Sequence, residues 1–336
     1  MSKKVSLKDI AREVGVSTAL VSYVLNNLKQ GRISREIAQK IREVAQKLNY
    51  RPNQIAKSLK TSRTYTIGLI VADISNPFSS SLARIVEDEA EKVNYTVIFG
   101  SSDETAQKSA KLIDTLLNRQ VDGLIIAPPA SSVAQIEDLV KQEVPFVLLD
   151  RYFPALKTNY VILDNHGAAE KATTHLVEAG CKSIALLTYK TELEHLKERK
   201  RGYLSALKKA GMAYRRTLVK EVDISNDPRE IEKALKDLLE NQHPDGLLIA
   251  SNILAAYGLR YINTLPLKVP ADLAIVSFDE TEALDLFYAP LTYIRQPLQE
   301  MGQKATQILL EGIATKNKIT QIVMEGELVV RASSKR

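Results

Sequence analysis

The 336-residue sequence contains a single cysteine, Cys181, so no disulfide can form within the chain. Its four histidines, His166, His175, His195 and His243, are scattered without metal-ligand spacing. No glycine-rich phosphate loop follows the first strand-like segment, and no nucleophile elbow occurs. The N-terminus lacks an apolar run long enough for a signal peptide or membrane helix. These absences argue against a secreted disulfide scaffold, a short-motif metalloenzyme, a nucleotide-binding enzyme and a serine hydrolase. A cytoplasmic protein with no cofactor, no metal and no catalytic activity is expected. Cys181, after Gly180 at a helix-to-strand turn, reads as a packed small residue, and His175, inside a helical segment, as structural.

What the chain does have is an uneven distribution of charge. Residues 1–63 carry fourteen Lys and Arg against four acids, a balance of +10, whereas the remainder carries 32 basic and 36 acidic residues, a balance of −4. A local polycation on a slightly acidic body fits a segment that neutralises phosphates, and double-stranded DNA is the expected partner. The length suffices for one small domain and one large one.

Within the basic segment, Ser6-Leu7-Lys8-Asp9 reads as a capped helix start, and Leu7, Ile10, Ala11 and Val14 recur at helical spacing until Gly15. Ser17 can cap a second helix that buries Leu20, Val21, Val24 and Leu25. Two short helices around a glycine-containing turn predict a helix-turn-helix. Its second helix would enter the major groove N-terminus first, with Thr18 and Ala19 near base edges, and Ser17, Ser22 and Asn26 reaching phosphates or flanking bases, alongside Ser6 and Tyr23. A third helix begins at Ser34, with Ile37, Ala38, Ile41, Ala45 and Leu48 inward. Pro52 then breaks the chain, and Asn53 can cap one or two further turns, too short to be stable alone in water.

From Thr66 onward, strand-like and helix-like segments alternate in the βαβ rhythm of a doubly wound parallel sheet, and the rhythm restarts near Gly167. Two lobes follow, with a ligand site expected in the cleft beyond the carboxyl ends of their strands. Phe78 after the first strand, Asp150 after the strand ending at Leu149, Asn252 after the strand ending at Ala250, and Asp279 after the strand ending at Phe278 occupy such positions. The second lobe is expected to carry a helix over about 199–210 and another over 254–264.

The residues resemble the LacI/GalR family of bacterial regulators over the whole chain. Val5–Ala11, Gly15-Val16-Ser17, Val21–Asn26 and Asn49-Tyr50-Arg51-Pro52-Asn53 with Ala56 and Leu59 carry the resemblance, followed by the body. It implies a lambda-repressor-like helix-turn-helix domain over 1–50, a hinge over 51–64, and a two-lobed periplasmic-binding-protein-like domain over 65–336. Lobe one is expected at about 65–161 plus 292–320 and lobe two at about 162–291 plus 321–336. It further implies a homodimeric repressor of a carbohydrate operon on a pseudo-palindromic operator, with Asn53, Ala56 and Lys57 on DNA and Leu59 wedged into the minor groove. Arg199, in the family pattern Arg199, Gly202, Tyr203, would contact the effector with Asn252 and Asp279, while Asp150 and Phe78 line the opposite lobe. Arg199 is expected to hold nearby carboxylates ionised. A sugar or sugar phosphate is the leading effector, with purines and nucleosides behind, and a phosphorylated carrier protein as co-repressor stays open. Leu20 and Tyr23 stand where the family often has Thr and Arg, Ile253 where an Asp is common, and Leu298 where some relatives stack an aromatic on a sugar.

Overall fold

The computed structural model describes residues 5–26, 33–50, 63–223, 227–315 and 318–336. The expected hinge contacts Asn53, Ala56, Lys57 and Leu59 lie outside the described residues. Contacts divide the chain into two compact units, Met1–Thr64 and Tyr65–Arg336.

The first unit contains α1 (Leu7–Val14), α2 (Thr18–Leu25) and α3 (Arg35–Lys47). At the start of α1 the Ser6 backbone N–H and hydroxyl both donate to the Asp9 carboxylate, at 2.9 and 2.7 Å, which satisfies an orphan amide and places a negative charge in the first turn. Gly15 ends the helix in the left-handed region at φ +80°, where a side chain would be strained. The Ser17 and Ser34 hydroxyls accept from Leu20 N and Ile37 N to cap α2 and α3. Ile10, Ala11, Val21, Val24, Ile41 and Ala45 form the buried core. Each fully buried Ile or Val side chain contributes about 1.5–3 kcal/mol. Ile37, expected inward, is exposed at 38%, whereas Ile33, Ala38, Ile41 and Ala45 around it pack into the core.

The second unit holds two six-stranded sheets with matching strand orders. Lobe one contains β1 (Thr66–Val71), α4 (Pro77–Glu91), β2 (Thr96–Ser101), α5 (Ala106–Asn118), β3 (Gly123–Ile126), α6 (Val133–Lys141), β4 (Phe146–Leu149) and β5 (Tyr160–Leu163). Lobe two contains α7 (Asn165–Glu178), β6 (Ile184–Tyr189), α8 (Glu194–Lys209), β7 (Val219–Val222), α9 (Pro228–Asp237), β8 (Gly246–Ile249), α10 (Asn252–Ile262), β9 (Ala274–Phe278), the short α11 (Glu282–Asp285) and β10 (Thr292–Arg295). The chain then returns to lobe one as α12 (Leu298–Ala314) and β11 (Gln321–Met324), and ends in lobe two with β12 (Glu327–Val329). The sheet orders are β11-β5-β4-β3-β1-β2 and β12-β10-β9-β8-β6-β7, parallel except for the β10–β12 pair. Side chains alternate along each strand: Ile67, Leu69 and Val71 of β1 join one face of the lobe-one core and Ile70 the other.

The lobe boundaries differ from the sequence expectation. Segment 292–295 pairs with β9 and so belongs to lobe two, while 321–324 pairs with β5 and belongs to lobe one, which itself extends to Leu163. Three crossings join the lobes, at 164, 296–297 and 325–326. Helix starts also shift: α8 begins at Glu194 rather than about 199, and α10 at Asn252, where the Ser251 hydroxyl caps Leu254 N. Cys181 is buried with its thiol pushed up to about 11 by burial, and His175 Nε2 meets Ser334 Oγ at 2.7 Å, so both serve packing. No described helix is long and apolar enough to cross a membrane.

Candidate functional site

Two surfaces carry the chemistry. On the first unit, burial of Val21 and Val24 fixes the rotation of α2, which leaves Thr18, Ala19 and Asn26 exposed and Ser22 and Tyr23 half-buried. Ser6 and Ser17 are exposed at the two helix starts. The Asn26 side-chain amide donates to the Ser22 carbonyl at 2.8 Å, which orients one end of this face. The arrangement offers a helix N-terminus flanked by small hydroxyl side chains, suited to approach a phosphate backbone.

The second surface is the interlobe cleft, where two adjoining cavities of about 40 and 80 Å³ share Asp73, Asn76, Phe78, Glu104, Asp150 and Arg151. Most of the polar lining, including Asp73, Asp150, Arg151, Ser251, Asn252 and Asp279, sits just beyond the carboxyl end of a strand, as a parallel sheet dictates. The lobes contribute equivalent positions. Asp150 N donates to Val161 O and Asp279 N donates to Ile294 O, each at 2.9 Å, and both aspartates take left-handed backbone at φ +69° and +70°. Such a conformation is uncommon for non-glycine residues but open to Asp and Asn, and here it turns both carboxylates off the strand ends.

Arg199, buried on α8, lies with its guanidinium carbon 3.9 Å from the Phe278 ring centre. Its Nε donates to Asn165 Oδ1 at 2.8 Å and its Nη1 to the Ala250 carbonyl at 2.6 Å. Arg151 makes a two-pronged pair with Glu104, both bonds 2.6 Å, and its Nε stands 3.5 Å from Asp150 Oδ2 in ion-pair rather than hydrogen-bond geometry. Gln296 donates to Asp279 at 2.6 Å. Asn252 bridges the lobes by donating to Asn76 Oδ1 at 2.8 Å. Three buried polar atoms of cleft-lining residues have no hydrogen-bond partner: Arg151 Nε, His195 Nδ1 and Gln296 Oε1. Each such atom costs roughly 1–3 kcal/mol unless something meets it.

Burial dominates the electrostatics. It pushes Asp150 up to about 6 despite Arg151 and Arg199, with Asp279 and Glu104 adding repulsion. It also raises Asp279 above the usual carboxylate range, against the pull of Arg199, Gln296 and the Asn252 amide. Arg199 does pull both acids toward the ionised form, as expected, but desolvation outweighs that pull and leaves both above their ordinary values. Burial and the two arginines hold His195 well below its ordinary value, so the ring is neutral.

Residues 6–53 match the model for bacterial regulatory proteins of the lacI family, and residues 173–334 match that for a periplasmic binding protein-like domain. The chain is 33% identical over 333 residues to the ribose operon repressor of Halalkalibacterium halodurans, covering 98% of this chain and 97% of the relative. The chain belongs to the LacI family of bacterial regulators. It is also 33% identical over 307 residues to catabolite control protein A of Priestia megaterium, covering 91% of each. Among solved structures, the lac repressor dimer bound to operator and an anti-inducer shares the fold with a TM-score of 0.86 at 24% identity over 99% of both chains. A CelR–cellobiose complex matches with a TM-score of 0.74 at 25% identity, covering 98% of this chain and all of the other. This LacI-family chain is a DNA-binding transcription regulator with a helix-turn-helix head and a periplasmic-binding-protein-like body, and it is not an enzyme.

Phe78, Asp150, Arg199, Asn252 and Asp279 are brought together in the LacI-family cleft. Leu298 is not: it is half-buried against the lobe-one core and lines an adjoining outer groove, while Gln296 reaches the cleft. Sequence reasoning missed Gln296, His195, Arg151, Glu104 and Asn76. The internal repeat could have found His195. It is the second residue of the helix after the first strand of lobe two, as Phe78 is in lobe one. Arg151 and Glu104 could be found only through the fold, since 47 positions separate the two partners.

Proposed function

We propose that this regulator is a homodimeric repressor of a carbohydrate-utilisation operon whose operator affinity is switched by a small sugar or sugar phosphate in the interlobe cleft. Thr18, Ala19 and Tyr23 read base edges in the major groove, and Ser6, Ser17, Ser22 and Asn26 hold the phosphate backbone. Two heads related by a dimer axis require a pseudo-palindromic site. The observation that best supports effector control is that three residues lining one cavity with the strand-end acids, Arg151, His195 and Gln296, each carry a buried polar atom without a partner. Such atoms are buried without partners, and a hydroxyl-bearing ligand would satisfy them. Their enclosure suits a small molecule rather than a carrier protein, which would dock on an outer face. Arg199, Asp279, Asp150 and Phe78 contact that ligand, and Asn252 closes the lobes over it through Asn76.

A gel shift on the gene's own upstream region, run across a salt series, tests the DNA half of the proposal. The full chain is expected to retard one palindromic fragment with an affinity that falls steeply with salt. Equal retention of unrelated fragments at physiological salt would refute it. Binding of a small molecule tests the other half: a sugar that raises the melting temperature should lose that effect in Arg199→Ala.

A further inference from the structure

The charge lining the cleft is unbalanced. Four carboxylates, Asp73, Glu104, Asp150 and Asp279, face two guanidinium groups, Arg151 and Arg199, and no lysine. The other titratable groups there, Tyr189 and His195, are both neutral near pH 7: burial pushes the phenol up to about 12 and holds the imidazole well below its ordinary value. Both guanidinium groups are already largely committed to acceptors of the protein itself. Arg151 gives both terminal nitrogens to Glu104, and Arg199 gives two of its three nitrogens to Asn165 and the Ala250 carbonyl. Among the described residues no three acids, histidines or cysteines gather to hold a metal ion that would cancel the surplus.

Hydrogen-bonding capacity leans the same way. The Asp150 and Asp279 carboxylates and the buried Gln296 Oε1 offer acceptors, and one of the two Gln296 amide hydrogens is already committed to Asp279. A phosphoryl or carboxylate group brings acceptors only and would meet acceptors. A hydroxyl donates as well as accepts, and can bond a carboxylate while receiving from Arg151 Nε. Admitting an anion would require breaking the charge-assisted pair between Arg151 and Glu104 or placing like charges together in a largely buried site.

Building on the effector reading above, we infer that the cleft takes an uncharged polyhydroxylated molecule, a free sugar rather than a sugar phosphate or sugar acid, whose hydroxyls donate to Asp150, Asp279 and Gln296. Glu104 is then a specificity determinant: by occupying Arg151 it removes the group that would otherwise anchor a phosphate.

The test is thermal shift and calorimetry on the full chain with matched pairs: ribose and ribose 5-phosphate, glucose and glucose 6-phosphate, fructose and fructose 6-phosphate, with inorganic phosphate as the bare anion. At least one free sugar is expected to raise the melting temperature and to bind on the order of a hundredfold more tightly than its phosphate, with inorganic phosphate inert. Glu104→Gln, which releases Arg151, should narrow that ratio to below about tenfold and gain stabilisation by inorganic phosphate. Asp150→Asn, which removes one acid without opening the Arg151–Glu104 pair, should narrow the ratio in the same direction and covers the case in which Glu104→Gln does not fold. A sugar phosphate that stabilises the wild type where its free sugar does not would overturn the inference while leaving a small-molecule cleft intact. Silence from every free sugar and every phosphate would overturn both the inference and the sugar-effector reading beneath it.

Discussion

Replacing Asp150 by Asn should make the protein more stable while damaging its site. Burial lifts the Asp150 carboxyl from its ordinary 3.8 to about 6, so the folded state holds this proton more tightly than the unfolded chain does. Between those two values the folded protein binds more protons, and stability therefore falls as pH rises through that window. Above pH 6 the full cost of an ionised buried acid is present. At 1.36 kcal/mol per pH unit it comes to about 3 kcal/mol. Asparagine removes the charge, keeps the shape, and tolerates the left-handed backbone at φ +69°. Urea unfolding of wild type and Asp150→Asn from pH 4 to 8, without ligand, reads the effect directly. The advantage of the variant should grow by about 2.4 kcal/mol from pH 4 to pH 7 and then level off. A difference that does not change with pH, or a wild type that gains on the variant as pH rises, would refute the reasoning about burial.

Three other outcomes follow from the structure. Gly202→Ala would place a Cβ 2.1 Å from the His166 carbonyl oxygen and 2.9 Å from Glu170 N, both backbone atoms, so α7 and α8 must part; a loss of about 3 kcal/mol is expected by urea unfolding. His195→Leu removes a buried nitrogen without a partner, so stability should hold or rise while affinity for the stabilising sugar drops about tenfold or more by calorimetry. Equal affinity would remove His195 from the ligand shell. Tyr23→Arg, on the half-buried edge of α2, should shift base preference at one symmetric pair of operator positions, and an unchanged selected-site profile would dismiss Tyr23 as a reader.

The head and the strand-end acids were legible in the sequence because their signals are local. Ser17 and Gly15 mark helix ends by capping and by a positive φ, and Asp150 and Asp279 follow short apolar strands directly. Elements whose place depends on distant partners were not legible. The strands 292–295 and 321–324 are each four residues long and read alike, and only pairing with β9 or β5 assigns them to a lobe. Helix α8 was placed about five residues late because its first turn, Glu194 to Lys197, is mostly polar, and this concealed His195. The pairing of Asn252 with Asn76 joins residues 176 apart in the chain, so a residue expected simply to touch ligand also ties the lobes together.

The central claim, that a ligand in the cleft governs the grip of the head on DNA, is tested most directly by fluorescence anisotropy on the operator fragment with and without the stabilising sugar. Wild type and Arg199→Ala should be compared at one fixed salt concentration. Arg199 lies buried in the body beside Asp279, bonded to Asn165 and the Ala250 carbonyl, and far in sequence from the head. The expected result is a change in wild-type operator affinity of about 5-fold to 150-fold on adding the sugar, and none in Arg199→Ala, whose unliganded affinity stays that of wild type. A sugar that binds the wild type yet leaves its operator affinity unchanged, or a full response surviving in Arg199→Ala, would contradict the claim.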